Sequence, residues 1–230
     1  MKNLSTIDFN NQKFEVDLST EADRSVSAEI FKYREYRMAD EAIKNAGTIL
    51  DIGAHKGFFA LYCNALNPKA EIFCLEPEKS NLVVLQGIKK ANKLKNVTIV
   101  EAALSNRTGS TNLVVTADSH NHYLDDMENE SAVTQKTDTY KFADLVKEHR
   151  IKLVSLMKMD IEGGEYAVFN GIAPEDYSQI KSIVMEYHNF PDRNHKQIEK
   201  QLRENGFGVQ IFPSKFDKTM GFIFANNKRI

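Results

Sequence analysis

Two acids and two glycines, set at particular intervals, carry the first chemical signal in this chain. Thr48-Ile49-Leu50-Asp51-Ile52-Gly53-Ala54-His55-Lys56-Gly57 runs from apolar residues into an acid and a tight glycine turn. A helical pattern, a second apolar run and Leu75-Glu76-Pro77 follow. In an α/β sheet this order builds an adenosine pocket at the carboxyl ends of the first two strands. The glycines let backbone approach a ligand and accept positive φ. Glu76 falls near the roughly 20-residue spacing at which an acid grips ribose hydroxyls.

The turn also discriminates between cofactors. A dinucleotide site uses G-x-G-x-x-G, which brings bare backbone and a helix N-terminus to a pyrophosphate. Here the pattern is Asp-x-Gly-x-x-x-Gly, and Asp51 stands where an anionic pyrophosphate would pass. Like charges there are unfavourable. S-adenosylmethionine carries a sulfonium and an ammonium instead, and a carboxylate suits both. The turn therefore favours S-adenosylmethionine over NAD, with an ordinary βαβ glycine turn as the bland alternative.

A second group lies further on. Lys158-Met159-Asp160 and Glu186-Tyr187-His188 each close an apolar run. Side chains alternate along a strand, so Lys158 and Asp160 share one face, as do Glu186 and His188. On neighbouring strands these four groups converge. Lys158 and Glu186 could form a structural ion pair, because buried charges need partners. Asp160 and His188, nearer the strand ends, are expected to meet substrate, with a neutral His188 accepting a hydroxyl proton. Glu162 and Glu165 flank Gly163-Gly164 at a helix start, where acids either cap the helix or, for Glu165, act on substrate. His55 and Lys56 are expected to contribute backbone rather than side chain. Asp160, Glu186, His188 and Asn189 could also offer ligands to a hard cation; magnesium is possible but not favoured. His120 and His122 fall in a polar stretch and are expected to be exposed, and His149 and His195 receive no role.

The elements that must position these residues are read as follows. Residues 7–18 form a hairpin through Asn10-Asn11, and residues 27–46 a helix stopped by Gly47. Strands at 48–52, 70–75, 97–100, 152–160 and 180–187 alternate with helices at 57–66, 77–92, 140–149, 162–171 and 194–205. An extra strand at 110–116 precedes a long polar stretch at 117–136, expected to be a mobile substrate lid. Residues 207–212 and 220–225 pair as a final hairpin. The expectation is a doubly wound, mainly parallel α/β sheet with an antiparallel last strand. Residues 1–46 make a small N-terminal hairpin-helix cap and residues 47–230 the cofactor-binding domain.

Composition narrows the class. Hydrophobic residues at 42% and charged residues at 27% mark a soluble globular chain rather than a disordered one. A net charge of −2, with no long run of like charge, argues against a large nucleic-acid surface. No apolar stretch reaches the length of a membrane span, and Met1-Lys2-Asn3-Leu4-Ser5-Thr6 lacks the apolar core of a signal peptide. Cys63 and Cys74 lie in apolar surroundings and read as buried free thiols, pointing to a reducing, cytoplasmic location.

The motifs taken together resemble the FkbM family of S-adenosylmethionine-dependent methyltransferases. They are Ile49 to Gly57, Glu76-Pro77, Ala103-Leu104-Ser105, Lys158-Met159-Asp160-Ile161-Glu162-Gly163-Gly164-Glu165 and Glu186-Tyr187-His188. The resemblance spans about residues 45–190, and the K-x-D-x-E-G-x-E segment is its most specific part. It implies a Rossmann-like methyltransferase sheet and methyl transfer to an oxygen of a sugar or other small natural product, the acceptor being a small molecule or glycan. It implies that Asp51, Gly53 and Gly57, with Ala54 between them, lie at the methionine end of the cofactor. Glu76 with Pro77 would lie at the ribose, Ala102 and Ala103 by the adenine, and Asp160 near the reacting methyl. His55 stands where the family commonly has Asn, and Ala60 where it often has a hydroxyl residue. The competing readings are a non-catalytic adenosine-cofactor-binding protein and an NAD-linked oxidoreductase.

Overall fold

The structure, a computed structural model, describes residues 4–114, 123–125 and 134–230. The chain opens with an antiparallel hairpin of β1 (Ser5–Phe9) and β2 (Gln12–Val16). Asn10 and Asn11 both take positive φ at its turn, the geometry that matches strand twist in a two-residue hairpin. Helix α1 (Glu21–Ser27) starts at a capping box in which Thr20 and Asp23 satisfy each other's backbone N–H.

The single helix expected over residues 27–46 is broken. A π-helical turn, Ala28–Tyr33, ends at Arg34 in the left-handed region (φ 55°). A 3-10 turn, Arg37–Ala39, then leads into the short α2 (Asp40–Lys44). The Arg34 guanidinium holds the bend by pairing with Asp40, whose other oxygen accepts from the Tyr62 hydroxyl. The apolar spacing predicted helix, but this tertiary pairing redirects the backbone.

The expected α/β alternation follows: β3 (Thr48–Ile52), α3 (Phe58–Leu66), β4 (Glu71–Leu75), α4 (Lys79–Ala91) and β5 (Val97–Val100). Helix α4 begins after Pro77, because the Glu78 carboxylate caps it by accepting from Ser80 and Asn81 N–H. Next comes a four-stranded sheet ordered β6-β9-β7-β8. Its strands are β6 (Ala103–Leu104), β7 (Gly109–Val114), β8 (Tyr123–Asp125) and β9 (Thr134–Tyr140). Sequence reading gave only β7 of these and began the next helix at Tyr140. Strand β9 buries Thr137 and Thr139 while neighbouring side chains face out, so its two-residue period is carried by threonines rather than apolar residues. Most of the expected lid, including His120 and His122, lies outside the described residues.

The remaining elements are α5 (Phe142–Glu148), β10 (Leu156–Met159), α6 (Glu165–Gly171), β11 (Ser182–His188), α7 (His195–Glu204), β12 (Phe207–Pro213) and β13 (Met220–Asn227). The central sheet has the order β12-β13-β11-β10-β3-β4-β5. From β11 to β5 it is parallel, and β13 runs antiparallel between β11 and β12. Alternate residues feed two cores. Leu50, Ile52, Met157, Met159, Ile183 and Met185 pack with α5, α6 and α7. Ile49, Ile72, Leu156 and Val184 pack with α3, α4 and the N-terminal segment.

Candidate active site

The turn after β3 is shaped by close approach. Gly53 (φ 73°) lies so near β10 that a Cβ there would stand 2.0 Å from the Asp160 carbonyl oxygen. Gly57 (φ 88°) opens α3, and its Cβ would meet Leu85 at 2.5 Å. Between them the His55 backbone N–H donates to Glu76 Oε2 (2.7 Å), so His55 does contribute through backbone. Glu76 Oε1 accepts from the Glu78 N–H (2.9 Å) and the Asn81 amide (3.5 Å). Burial pushes the Glu76 carboxyl up, against these donors, to about 7.

The Lys56 side chain does more than expected. Its ammonium forms a buried ion pair with Asp23 at 2.5 Å, which ties α1 to the glycine turn. Sequence spacing gave no sign of a partner so far upstream.

Lys158 is the buried cation beneath the turn. Its Nζ donates to the Gly53 carbonyl (2.8 Å) and lies 3.3 Å from Asp51 Oδ1 and 4.0 Å from Asp160 Oδ2. Burial alone would lower its pKa, but Asp51 and Asp160 outweigh this and raise it. The expected Lys158–Glu186 pair is not formed. In register Lys158 stands level with Asp51 on β3 and with Val184 on β11, which leaves Glu186 beyond its level. Asp51 is fully buried, does not line the cavity described below, and contacts Lys158, which does.

At the strand ends, Asp160 Oδ2 accepts from the Tyr36 hydroxyl at 3.1 Å. Tyr36 is buried and meets Phe59 and Phe222 edge-on, with centroids at 5.0 and 5.4 Å. Glu186 is half-buried and makes no hydrogen bond or ion pair among the described residues. Burial and the nearby Asp160 push its carboxyl well above the usual carboxylate range.

His188 sits between acids, with Nδ1 3.3 Å from Glu165 and Nε2 3.6 Å from Glu162. Burial alone would lower its pKa, but the hydrogen bond and charge of Glu165, with the charges of Glu162 and Glu186, raise it to about 9. This environment favours the imidazolium over the neutral ring expected from the sequence. Glu165 is fully buried, and its Oε1 also accepts from the N–H groups of Ile161 (3.4 Å) and Gly163 (3.2 Å). It supports the turn and His188 from beneath and is not among the residues that line the cavity described below.

All of this surrounds a cavity of about 910 Å³. Gly53, Ala54, Glu76, Pro77 and Ala103 line one end, while Glu35, Tyr36, Asp160, Glu186 and His188 line the other. Gly57 and Ala102 stand behind the lining. The β12–β13 hairpin closes the second end with Phe212, Phe216 and Phe222. Phe216 is fully exposed at the mouth. Sequence reading missed Glu35, Tyr36 and the hairpin aromatics. Aromatics flanking Pro213 were a usable signal for the hairpin, but nothing local marked Tyr36. Among the described residues no group of three or more His, Cys, Asp or Glu is disposed to hold a metal ion. Asn189, considered as a ligand, instead accepts from the His195 N–H at 2.8 Å.

Comparison with known proteins gives a consistent picture. The family model of the methyltransferase FkbM domain matches residues 51–209. Methyltransferase sdnD of Sordaria araneosa is 24% identical over 191 residues, covering 70% of this chain and 73% of that protein. The 31-O-demethyl-FK506 methyltransferase FkbM of Streptomyces tacrolimicus is 21% identical over 209 residues, covering 79% and 80%. Among solved structures, methyltransferase FkbM from Methylobacillus flagellatus KT superposes with a TM-score of 0.54 at 16% identity, covering 78% of this chain and 43% of that one. Aeropyrum pernix fibrillarin with bound S-adenosyl-L-methionine gives a TM-score of 0.56 at 13% identity, covering 97% and 83%. These two structures share the Rossmann-like fold with this chain.

Proposed function

The chain belongs to the FkbM methyltransferase family, and from that premise we propose that it transfers a methyl group from S-adenosylmethionine to a hydroxyl of a sugar or other small natural product. The observation that carries the proposal is the cavity itself. A glycine turn and a fixed carboxylate bound one end, and a strand-end carboxylate under aromatic walls bounds the other. The residues present fit the cofactor. Gly53 leaves backbone bare where a side chain would collide, Glu76 is anchored by N–H donors at the lining, and Asp160 offers negative charge to a cation.

When bound, S-adenosylmethionine supplies an electrophilic methyl on a sulfonium. In this reading Glu76 accepts from the ribose hydroxyls, with Pro77 beside it, and Gly53 and Ala54 line the methionine end. Ala103 lies by the adenine, backed by Ala102. Asp51 and Gly57 act indirectly, Asp51 by fixing Lys158 and Gly57 by opening α3. The chain's main contribution is proximity and orientation. In this reading the Asp160 carboxylate, with Oδ1 free of hydrogen bonds from the described residues, lies against the sulfonium and takes the proton of the acceptor hydroxyl beside it. His188, held as a cation by Glu162 and Glu165, orients the acceptor by donation instead. The Streptomyces relative, a 31-O-demethyl-FK506 methyltransferase, supports an oxygen acceptor.

Calorimetry and a turnover assay test the proposal. S-adenosylmethionine is expected to bind more tightly than NAD, and S-adenosylhomocysteine to be released with an acceptor from a panel of hydroxylated sugars and polyketides. Tighter binding of NAD would overturn it.

A further inference from the structure

The N-terminal segment lies outside the residues matched by the family model, yet it reaches the centre of the site. Three contacts hold it there. The Asp23–Lys56 ion pair fixes α1 to the glycine turn. The Arg34–Asp40 pair, joined by the Tyr62 hydroxyl, fixes the left-handed bend. Tyr36, two residues past that bend, is wedged between the rings of Phe59 and Phe222. Its hydroxyl then has one hydrogen-bonding partner among the described residues, Asp160 Oδ2. A buried tyrosine is the right group for this task. Burial and the charges of Asp160 and Glu186 drive its pKa well above 10, so the hydroxyl remains a donor. A carboxylate at a strand end can otherwise rotate, and one that is 30% exposed has room to do so. A donor on one oxygen fixes the plane of the other.

We propose that Tyr36 is a positioning residue for Asp160: by holding Oδ2 it aims Oδ1 at the positively charged sulfur of the bound cofactor. The proposal rests on the reading of this cavity as an S-adenosylmethionine site. It makes the segment before residue 47 part of the cofactor's electrostatic environment.

The charge on sulfur supplies the test, because S-adenosylmethionine is a sulfonium and S-adenosylhomocysteine is a neutral thioether. Calorimetry on the full chain would compare both ligands against wild type, Tyr36→Phe, Asp160→Asn and the double variant. Tyr36→Phe keeps both ring contacts and removes only the hydroxyl. It is expected to weaken S-adenosylmethionine about 3–10-fold and S-adenosylhomocysteine less than about twofold, the scale of one charge-assisted hydrogen bond acting indirectly. Asp160→Asn is expected to show the same selectivity, and Tyr36→Phe to add nothing in its background. Equal loss for both ligands, or additive losses in the double variant, would reduce Tyr36 to packing and overturn the proposal. If Tyr36→Phe fails to fold, Asp160→Asn still decides, since an unselective Asp160→Asn removes the premise. A wild-type chain that binds neither ligand overturns the cofactor reading itself, a separate result from selective binding unaffected by Tyr36.

Discussion

His188 and Glu76 show how far local environment moves a group from its reference state. Carboxylates at both ring nitrogens of His188 raise its pKa to about 9. An NMR titration of the His188 ring should therefore find its midpoint near 9 and an imidazolium at pH 7. A midpoint below 7 would restore the neutral histidine as candidate base. The linkage has a definite sign. A raised histidine pKa stabilises the fold fully below about 6.5, and the contribution is lost as pH rises through about 9. For Glu76 the carboxyl is raised to about 7 by burial. Its proton-linked stability is full below about 4.5 and lost as pH rises through about 7, while the ionised form is the better acceptor for ribose hydroxyls. Affinity for S-adenosylmethionine should thus rise between pH 6 and 8, on the order of that titration. Glu76→Gln should lose that pH dependence, and Glu76→Ala should cost about 1.5–3 kcal/mol of binding. Calorimetry across that range checks both, and an unchanged Glu76→Gln profile would assign the dependence elsewhere.

At the scale of elements, the strands carrying the site were legible and their cross-chain partners were not. β3, β4 and β5 read directly from short apolar runs bounded by turn residues, and Lys158, Asp160, Glu186 and His188, which alternation suggested would converge, all line one cavity. The error was in the pairing. A one-strand pattern says which face a lysine takes, but inter-strand register decides that Lys158 meets Asp51 rather than Glu186. The broken helix around Arg34 and the threonine-patterned β9 failed for a similar reason, since long-range contacts stabilise what the local pattern does not mark. The Asp23–Lys56 pair is the clearest such contact, with both side chains almost wholly buried. Lys56→Met strands Asp23 and is expected to cost about 3–5 kcal/mol in urea unfolding, whereas combining it with Asp23→Asn should recover much of the loss. Equal destabilisation in the single and double variants would mean that the pair is incidental to the packing.

At the scale of the whole molecule, the glycine turn, Glu76, the strand-end acids and residues from both terminal segments surround one cavity. Tyr36 comes from the N-terminal segment, and Phe212, Phe216 and Phe222 from the last hairpin. This arrangement bears on whether residues 1–46 form a separate unit. Phe14, Val16, Ile30, Tyr36 and Ile43 belong to the same buried cluster as Ile49, Phe59 and Leu61, so the segment shares its core with the sheet. A separate unit of this size would have little core of its own and would be marginal alone. We therefore expect the full chain to unfold in a single cooperative step. Fluorescence anisotropy of a dye on the N-terminal hairpin should report the same urea midpoint as far-ultraviolet circular dichroism, which follows all the helices and strands. The Tyr36→Phe variant should keep the two probes coincident, because its rings remain packed. An N-terminal probe that melts well before the circular dichroism signal would make the segment a detachable cap, and Asp160 would then lose its hydrogen-bond donor before the sheet lost its structure.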